Sequence, residues 1–299
     1  MATQSIDVPG HHFRAFFKDF SRDRLALAGL VTLIAIILFA LFAPLLSPQN
    51  PYDLMQLDIM DGRLPPGSTS YSGVPYWLGT DTQGRDMLSA ILHGLRISLL
   101  VGLCAAGLAF IIGTLAGLCA AYFGGRWDTL MMRLVDLQLS IPTILAAMLI
   151  LAFLGKGIAN VVIAIVVVEW ATYARTARGS ALSEMRREYM EAARSLRLPW
   201  HTILLRHLLP NCLSPLIVLL TMQIARAISL EATLSFLGLG VPITEPSLGL
   251  LISNGYTYML SGSYWISIYP GIALLITILS INLVGDRLRQ TLDPKAALR

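Results

Sequence analysis

The sequence predicts an all-α integral membrane protein of six transmembrane helices, and three observations carry that prediction. Hydrophobic residues make up 55% of the 299 and charged ones only 13%, against about 25% charged in soluble domains. The apolar residues fall in runs of about 20, the length that crosses a hydrocarbon core as a helix. Lys and Arg alternate between the connections: seventeen fall in one alternating set and four in the other, with Arg226 inside a span.

The first span, 25–46, follows a charged segment, 1–24, that has no small-residue cleavage site, so it reads as retained. An outer loop, 47–95, begins as an irregular stretch rich in Pro, Asp, Gly and Ser. From Met87 the apolar positions Met87, Leu88, Ile91, Leu92 and Leu95 share one helical face, while Arg85, Asp86, Ser89, His93 and Arg96 fall mostly on the other. That pattern predicts an amphipathic helix along the outer interface, leading into the second span at 98–122. Gly113 and Gly117 in that span form G-x-x-x-G, read as close helix packing. The third span, 130–154, is interrupted by Asp136 and Pro142, so its lower half reads as an interfacial entry. Asp136 sits with Arg133 near the boundary, where solvation suffices. The fourth, 158–173, is short and carries Glu169. The fifth and sixth are 212–238 and 266–284, with a tail at 286–299. Excess Lys and Arg mark the cytoplasmic side, so both termini are cytoplasmic. The pI of about 9.1 is then a topogenic signal, and no nucleic-acid partner is expected. Cys104, Cys119 and Cys212 read as small hydrophobes.

Between the fourth and fifth spans, residues 183–210 form a charged segment. It runs Glu191-Ala192-Ala193-Arg194-Ser195-Leu196-Arg197 and later His207-Leu208-Leu209-Pro210. Residues 184–196 are good helix formers. Leu198-Pro199 breaks that helix, and Pro199 suits the first turn of a second one running through Leu208. The second helix is expected to end at Pro210. Ala192 and Ala193 offer a flat, small surface beside Glu191, suited to docking into a partner's groove.

These residues resemble the EAA loop of ABC importer permeases, whose pattern E-A-A-x-x-x-G-x9-I-x-L-P is matched at Glu191, Ala192, Ala193, Leu209 and Pro210. Arg197 replaces the turn glycine and His207 the usual Ile. A left-handed Arg197 would cost about 1–2 kcal/mol; alternatively Pro199 shifts the turn. Three further blocks resemble the dipeptide, oligopeptide and nickel branch, in its second, C-type subunit. They are Leu78-Gly79-Thr80-Asp81 with Gly84-Arg85-Asp86; Leu234 to Gly240; and Gly285-Asp286 with Leu292-Asp293-Pro294-Lys295. Pro246-Ser247-Leu248-Gly249 departs from a P-E-W-G-like sequence and loses a Trp. The resemblance implies a type I ABC importer permease fold with a cytoplasmic EAA coupling hairpin at 184–210 and a permease core at 96–285. It implies ATPase coupling through Tyr189, Glu191, Ala192, Ala193, Arg194, Arg197, Pro199 and His201. It also implies a second permease subunit, two ABC ATPases that carry the ATP and Mg, a periplasmic substrate-binding protein, and a bacterial inner membrane.

Glu169, Arg226 and Glu231 lie inside spans, where a charge costs at least about 2.5–3.5 kcal/mol and calls for a partner or a watery cavity. They are read either as helix–helix pairs, Arg226 with Glu169 being the better match, or as bordering the translocation path of a zwitterionic substrate. No P-loop, nucleophile motif or metal-ligand spacing occurs, so this chain is expected to carry no cofactor and no enzymatic site. The function read is a permease subunit of an ATP-driven, binding-protein-dependent importer, for peptides, or alternatively for nickel or a peptide-like conjugate. An ion-coupled secondary transporter would show inverted repeats or broken midplane helices. A membrane-embedded enzyme would need clustered polar groups at one depth.

Overall fold

A computed structural model of the chain describes residues 23–52, 57–70, 73 and 75–292. The basic residues Arg14, Lys18 and Arg22, and the Asp293-Pro294-Lys295 block, lie outside the described residues. Helix α1 (Arg24–Leu41) begins where the Asp23 carboxylate accepts the N–H groups of Leu25 and Ala26 at 2.9 and 3.3 Å, donors that the first turn leaves free. A short α2 (Ala43–Leu46) follows. The outer segment holds one small antiparallel pair, β1 (Ser68–Thr69) with β2 (Pro75–Tyr76). Then come α3 (Met87–Phe123), α4 (Gly125–Ser140), α5 (Thr143–Leu154), α6 (Ile158–Glu184) and α7 (Glu188–Ser195). The chain continues with α8 (Trp200–Phe236), α9 (Leu248–Tyr256) and α10 (Trp265–Leu292).

Among the described residues five helices are long and apolar enough to cross a membrane, and the pair α4–α5 meets the same length and composition only when its two halves are taken together. The two halves of that pair meet at 93°. Pro142 supplies no N–H, and Ile141 before it is extended at φ −91°, ψ 132°, as a residue preceding proline prefers. At 12 residues α5 spans only about 18 Å, so it cannot cross alone. Helix α4 is held against α6 by two ion pairs, Asp128 with Arg178 and Asp136 with Arg175, each at 2.5 Å. Asp136 therefore pairs with Arg175 across helices, and not with Arg133 on its own helix.

The core lies between α3, α6 and α8. Val101, Ala105 and Ala106 of α3 pack with Val161, Ala164 and Ile165 of α6, Ala227 and Leu234 of α8, and Ala147 and Leu151 of α5. Small residues set the spacing of α3 and α6. A Cβ on Gly113 would stand 2.3 Å from the Trp170 carbonyl oxygen, and one on Gly117 2.2 Å from that of Ala174. Any side chain there would push the helices apart, so G-x-x-x-G acts here as packing.

Three sequence expectations change. The segment from Met87 is no separate interfacial helix: it is the outer end of α3, 37 residues long. Apart from the exposed Arg96, its polar face is buried too, because Gln49 and Asp86 bond around Ser89 and the Tyr52 ring packs edge-on to His93. The outer loop, not headgroups, covers that face. The fourth span runs on from 173 to Glu184, since nothing between breaks a helix. The second hairpin helix does not end at Pro210 but runs unbroken into the fifth span as α8. A π-helical turn over Ile203–Leu208 widens the backbone just ahead of that proline, where a tight turn would crowd its ring.

The 78–86 block builds a cap over the outer end. Arg85 Nε donates to Asp81 at 2.9 Å, with both side chains 2% exposed or less. Trp265 Nε1 donates to the Thr80 carbonyl at 3.1 Å, and Asp86 caps α3 by accepting from Ser89 N. Gly84, at φ +77°, could hold no Cβ, which would lie 2.1 Å from the Asp58 carbonyl oxygen.

Candidate functional site

Two surfaces can act on something outside the chain. The first is the hairpin. Helix α7 ends in two bonds that define a left-handed C-terminal cap: Leu198 N donates to Ala193 O at 3.3 Å, and Arg197 N to Arg194 O at 2.9 Å. That pattern requires a left-handed residue between them, and Arg197 takes it at φ +50°. Of the two alternatives, Arg197 makes the turn itself. Leu198 then folds back onto the cluster that holds Ala193, Met190, Ile203, Leu204 and Leu208.

This packing divides the expected docking residues. Tyr189, Glu191, Ala192, Arg194, Arg197, Pro199 and His201 are exposed, whereas Ala193 is buried at 4%. The two alanines therefore do not share a flat surface: on a helix, adjacent positions point about 100° apart, and Ala193 faces the hairpin's own core. Two residues not singled out from sequence join the outer face, Leu196 at 74% exposed and Trp200 at 52%. The Trp200 ring lies tilted at 53° against that of Phe123 at the end of α3, with ring centroids 5.7 Å apart. The sequence signal was there: an exposed Leu and Trp on either side of Pro199 have no core to enter in so short a hairpin. Tyr189 donates to Glu184 at 2.9 Å, tying α7 to the end of α6. Desolvation, and then that bond, push its phenol up to about 12, so it stays a neutral donor at physiological pH.

The second surface is a cavity of about 690 Å³ between α6, α8 and α10. Hydroxyls line it, from Thr176, Ser180 and Ser183 on α6 and Ser214 on α8, with Glu184 and Arg289 beside them and Met222 at its far end. Arg226 lies one helical turn beyond Met222 on the same face and is exposed. Ser229 and Thr233, partly exposed, continue that stripe. Their hydroxyls donate back to Ala225 O and Ser229 O, at 2.9 and 2.8 Å.

Of the three intramembrane charges, only Arg226 opens to the outside of the chain. It forms no ion pair with Glu169; its Nη2 stands 3.4 Å from Thr143 Oγ1 at the start of α5. Glu169 is 2% exposed, and neither of its carboxylate oxygens has a hydrogen-bond partner. The two feel each other's charge without a direct ion pair, Glu169 being buried and Arg226 exposed. Glu231 is fully buried and accepts from Ser98 at 2.9 Å and Ser235 at 2.8 Å, joining α3 to α8. Beyond it, Ser247 caps α9 by accepting from Leu250 N at 3.2 Å. Among the described residues no group of His, Cys, Asp and Glu is placed to hold a metal.

Comparison with known proteins adds the following. Residues 109–298 match the binding-protein-dependent transport system inner membrane component, and residues 13–66 match the N-terminal TM domain of oligopeptide transport permease C. The chain is 38% identical over 282 residues to the di/tripeptide transport system permease protein DppC of Pseudomonas aeruginosa, covering 94% of this chain and 92% of that one. It is 37% identical over 292 residues to the glutathione transport system permease protein GsiD of Pectobacterium atrosepticum, covering 98% and 93%. Among solved structures, an inward-facing conformation of the MetNI methionine ABC transporter aligns with a TM-score of 0.57. That likeness, at 20% identity over 69% of this chain and 97% of the other, is one of fold.

Proposed function

We propose, on the premise that this chain belongs to the binding-protein-dependent transport system inner membrane component family, that it is one permease subunit of an ATP-driven peptide importer. The curated relatives are named for di- and tripeptides, dipeptides and glutathione, and short peptides are the substrate class we assign. The proposed assembly pairs it with a second permease chain. Two ATPases carry ATP and Mg on the cytoplasmic side, and a binding protein delivers substrate from the other side of a bacterial inner membrane, with both termini cytoplasmic.

The observation that supports coupling is the hairpin's outer face. Tyr189, Glu191, Ala192, Arg194, Leu196, Arg197, Pro199, Trp200 and His201 surround one turn, while Ala193 and Leu198 brace it from within. Because α8 carries the hairpin directly into the fifth span, a displacement at Trp200 is transmitted along a continuous helix. ATPase closure would act on that lever. The hydroxyl-lined cavity with Arg226 beyond it is the proposed path for substrate along this chain. Glu169 and Glu231, both enclosed, act in this reading from behind the wall.

Glu191→Lys tests the coupling role. Reversing a charge at an interface costs several kcal/mol, so peptide uptake by the reconstituted importer should fall at least about tenfold. The chain should still insert and fold, because Glu191 is exposed. Normal uptake with assembled ATPase would remove the hairpin from the coupling path.

A further inference from the structure

We infer that Arg226 reads a carboxylate of the passing solute and is thereby a specificity-determining residue; this rests on the reading of its face as the substrate path. Arg226 lies 10 residues from Phe236, the outer end of α8, or roughly 15 Å along the axis, near the middle of a hydrocarbon core about 30 Å thick. A guanidinium there keeps its charge and needs an anion or water.

Among the described residues no carboxylate makes a direct ion pair with it, although the buried Glu169 lies near enough to feel its charge. Its polar contact is the neutral Thr143 hydroxyl at 3.4 Å, beyond the range of a good hydrogen bond. The two carboxylates nearest in the fold are withheld: Glu169 is turned inward and Glu231 is engaged by two serines. The fork of Arg226 therefore stands open on the face that the cavity lines. A planar carboxylate is the group that such a fork binds through two parallel bonds. Dipeptides and glutathione, the solutes in the relatives' names, both carry at least one free carboxylate.

The test uses the complete importer in liposomes, with dialanine and its C-terminal amide as probes. Delivery by the binding protein is common to wild type and variant, so it cancels when acid-to-amide uptake ratios are compared. Arg226→Gln should lower the ratio on the order of tenfold, as one charge-assisted pair is lost, and Arg226→Lys, which keeps the charge but not the fork, should fall between wild type and the Gln variant. Where the amide is not delivered, uptake of dialanine per ATP hydrolysed is read instead, with the same expected order of wild type, Lys variant and Gln variant. An unchanged value in Arg226→Gln overturns the inference. So does an equal loss in both variants accompanied by loss of assembled complex, which would mean that an acidic group of the second permease chain is the partner. Met222→Cys separates the premise from the inference. If a membrane-impermeant thiol reagent fails to label it above the native cysteines, the path reading itself falls. If it is labelled and the ratio does not move, only the carboxylate reading falls.

Discussion

The cap at 78–86 and the hairpin at 184–210 are both rich in charge, yet they handle it in opposite ways. In the cap, Arg85 and Asp81 are 2% exposed or less and bonded to each other. Asp86 is spent on α3, and Trp265 reaches in to Thr80. In the hairpin, Glu191, Arg194 and Arg197 point outward, beside Leu196 and Trp200. The cap turns its charged groups inward, with Arg85 Nη2 and Asp86 Oδ1 left without a hydrogen-bond partner, whereas the hairpin turns an apolar and charged face outward. Burial of charge is thus concentrated in the cap and its exposure in the hairpin, where we propose docking.

Breaking the cap should give the largest effect on folding. Asp81→Asn keeps the shape but leaves Arg85 buried without its counter-charge, which costs roughly 3–5 kcal/mol. The purified importer should melt well below wild type, and less folded chain should reach the membrane. A melting point within the range of ordinary surface variants would mean that the cap tolerates unpaired charge as the hairpin does, and the contrast would fail.

The hairpin should respond in the other sense. Trp200→Ala removes a half-exposed aromatic of the kind that anchors interfaces, so ATPase retention should weaken by about 2 kcal/mol, or roughly 30-fold. The chain's own melting should move far less. Titrating ATPase onto nanodisc-held permease measures the first quantity, and thermal unfolding the second. Equal losses in both would make Trp200 a packing residue of α3, through Phe123, and not a docking one.

What the sequence made legible follows the same division. The spans, the break at Pro142 and the hairpin's place between the fourth and fifth spans were readable because apolar length and proline chemistry are local properties. The extent of α3 was not. Whether Ser89 and His93 meet headgroups or protein depends on Gln49 and Tyr52, some forty residues away in the chain. The Glu169–Arg226 pairing failed for a related reason. Spacing places two charges in adjacent spans, but only the packing of α3, α6 and α8 decides which is buried and which exposed. The division of Ala192 from Ala193 could have been read from helical geometry alone, once the apolar positions Met190 and Ala193 were taken as the inner face.

Arg197 sharpens the contrast with the smallest change. Both ends of the molecule contain turns at positive φ: the cap uses Gly79 and Gly84, where no Cβ fits, and Arg63, whose N–H donates to Asp81 O, stands beside it at φ +61°. The hairpin puts arginine there, at φ +50°, with its side chain in the open. Arg197→Gly should remove about 1–2 kcal/mol of crowding between Cβ and the backbone. The extra freedom of glycine in the unfolded chain takes back about 0.5–1 kcal/mol. The net gain is at most about 1.5 kcal/mol, so hydrogen exchange at the amides of Leu196, Arg197 and Leu198 should slow by up to about tenfold. Slower exchange would show that this turn gives up some stability to keep a cation on the docking face. Faster exchange would instead show that the arginine side chain stabilises its own turn, making the hairpin as self-sufficient as the cap.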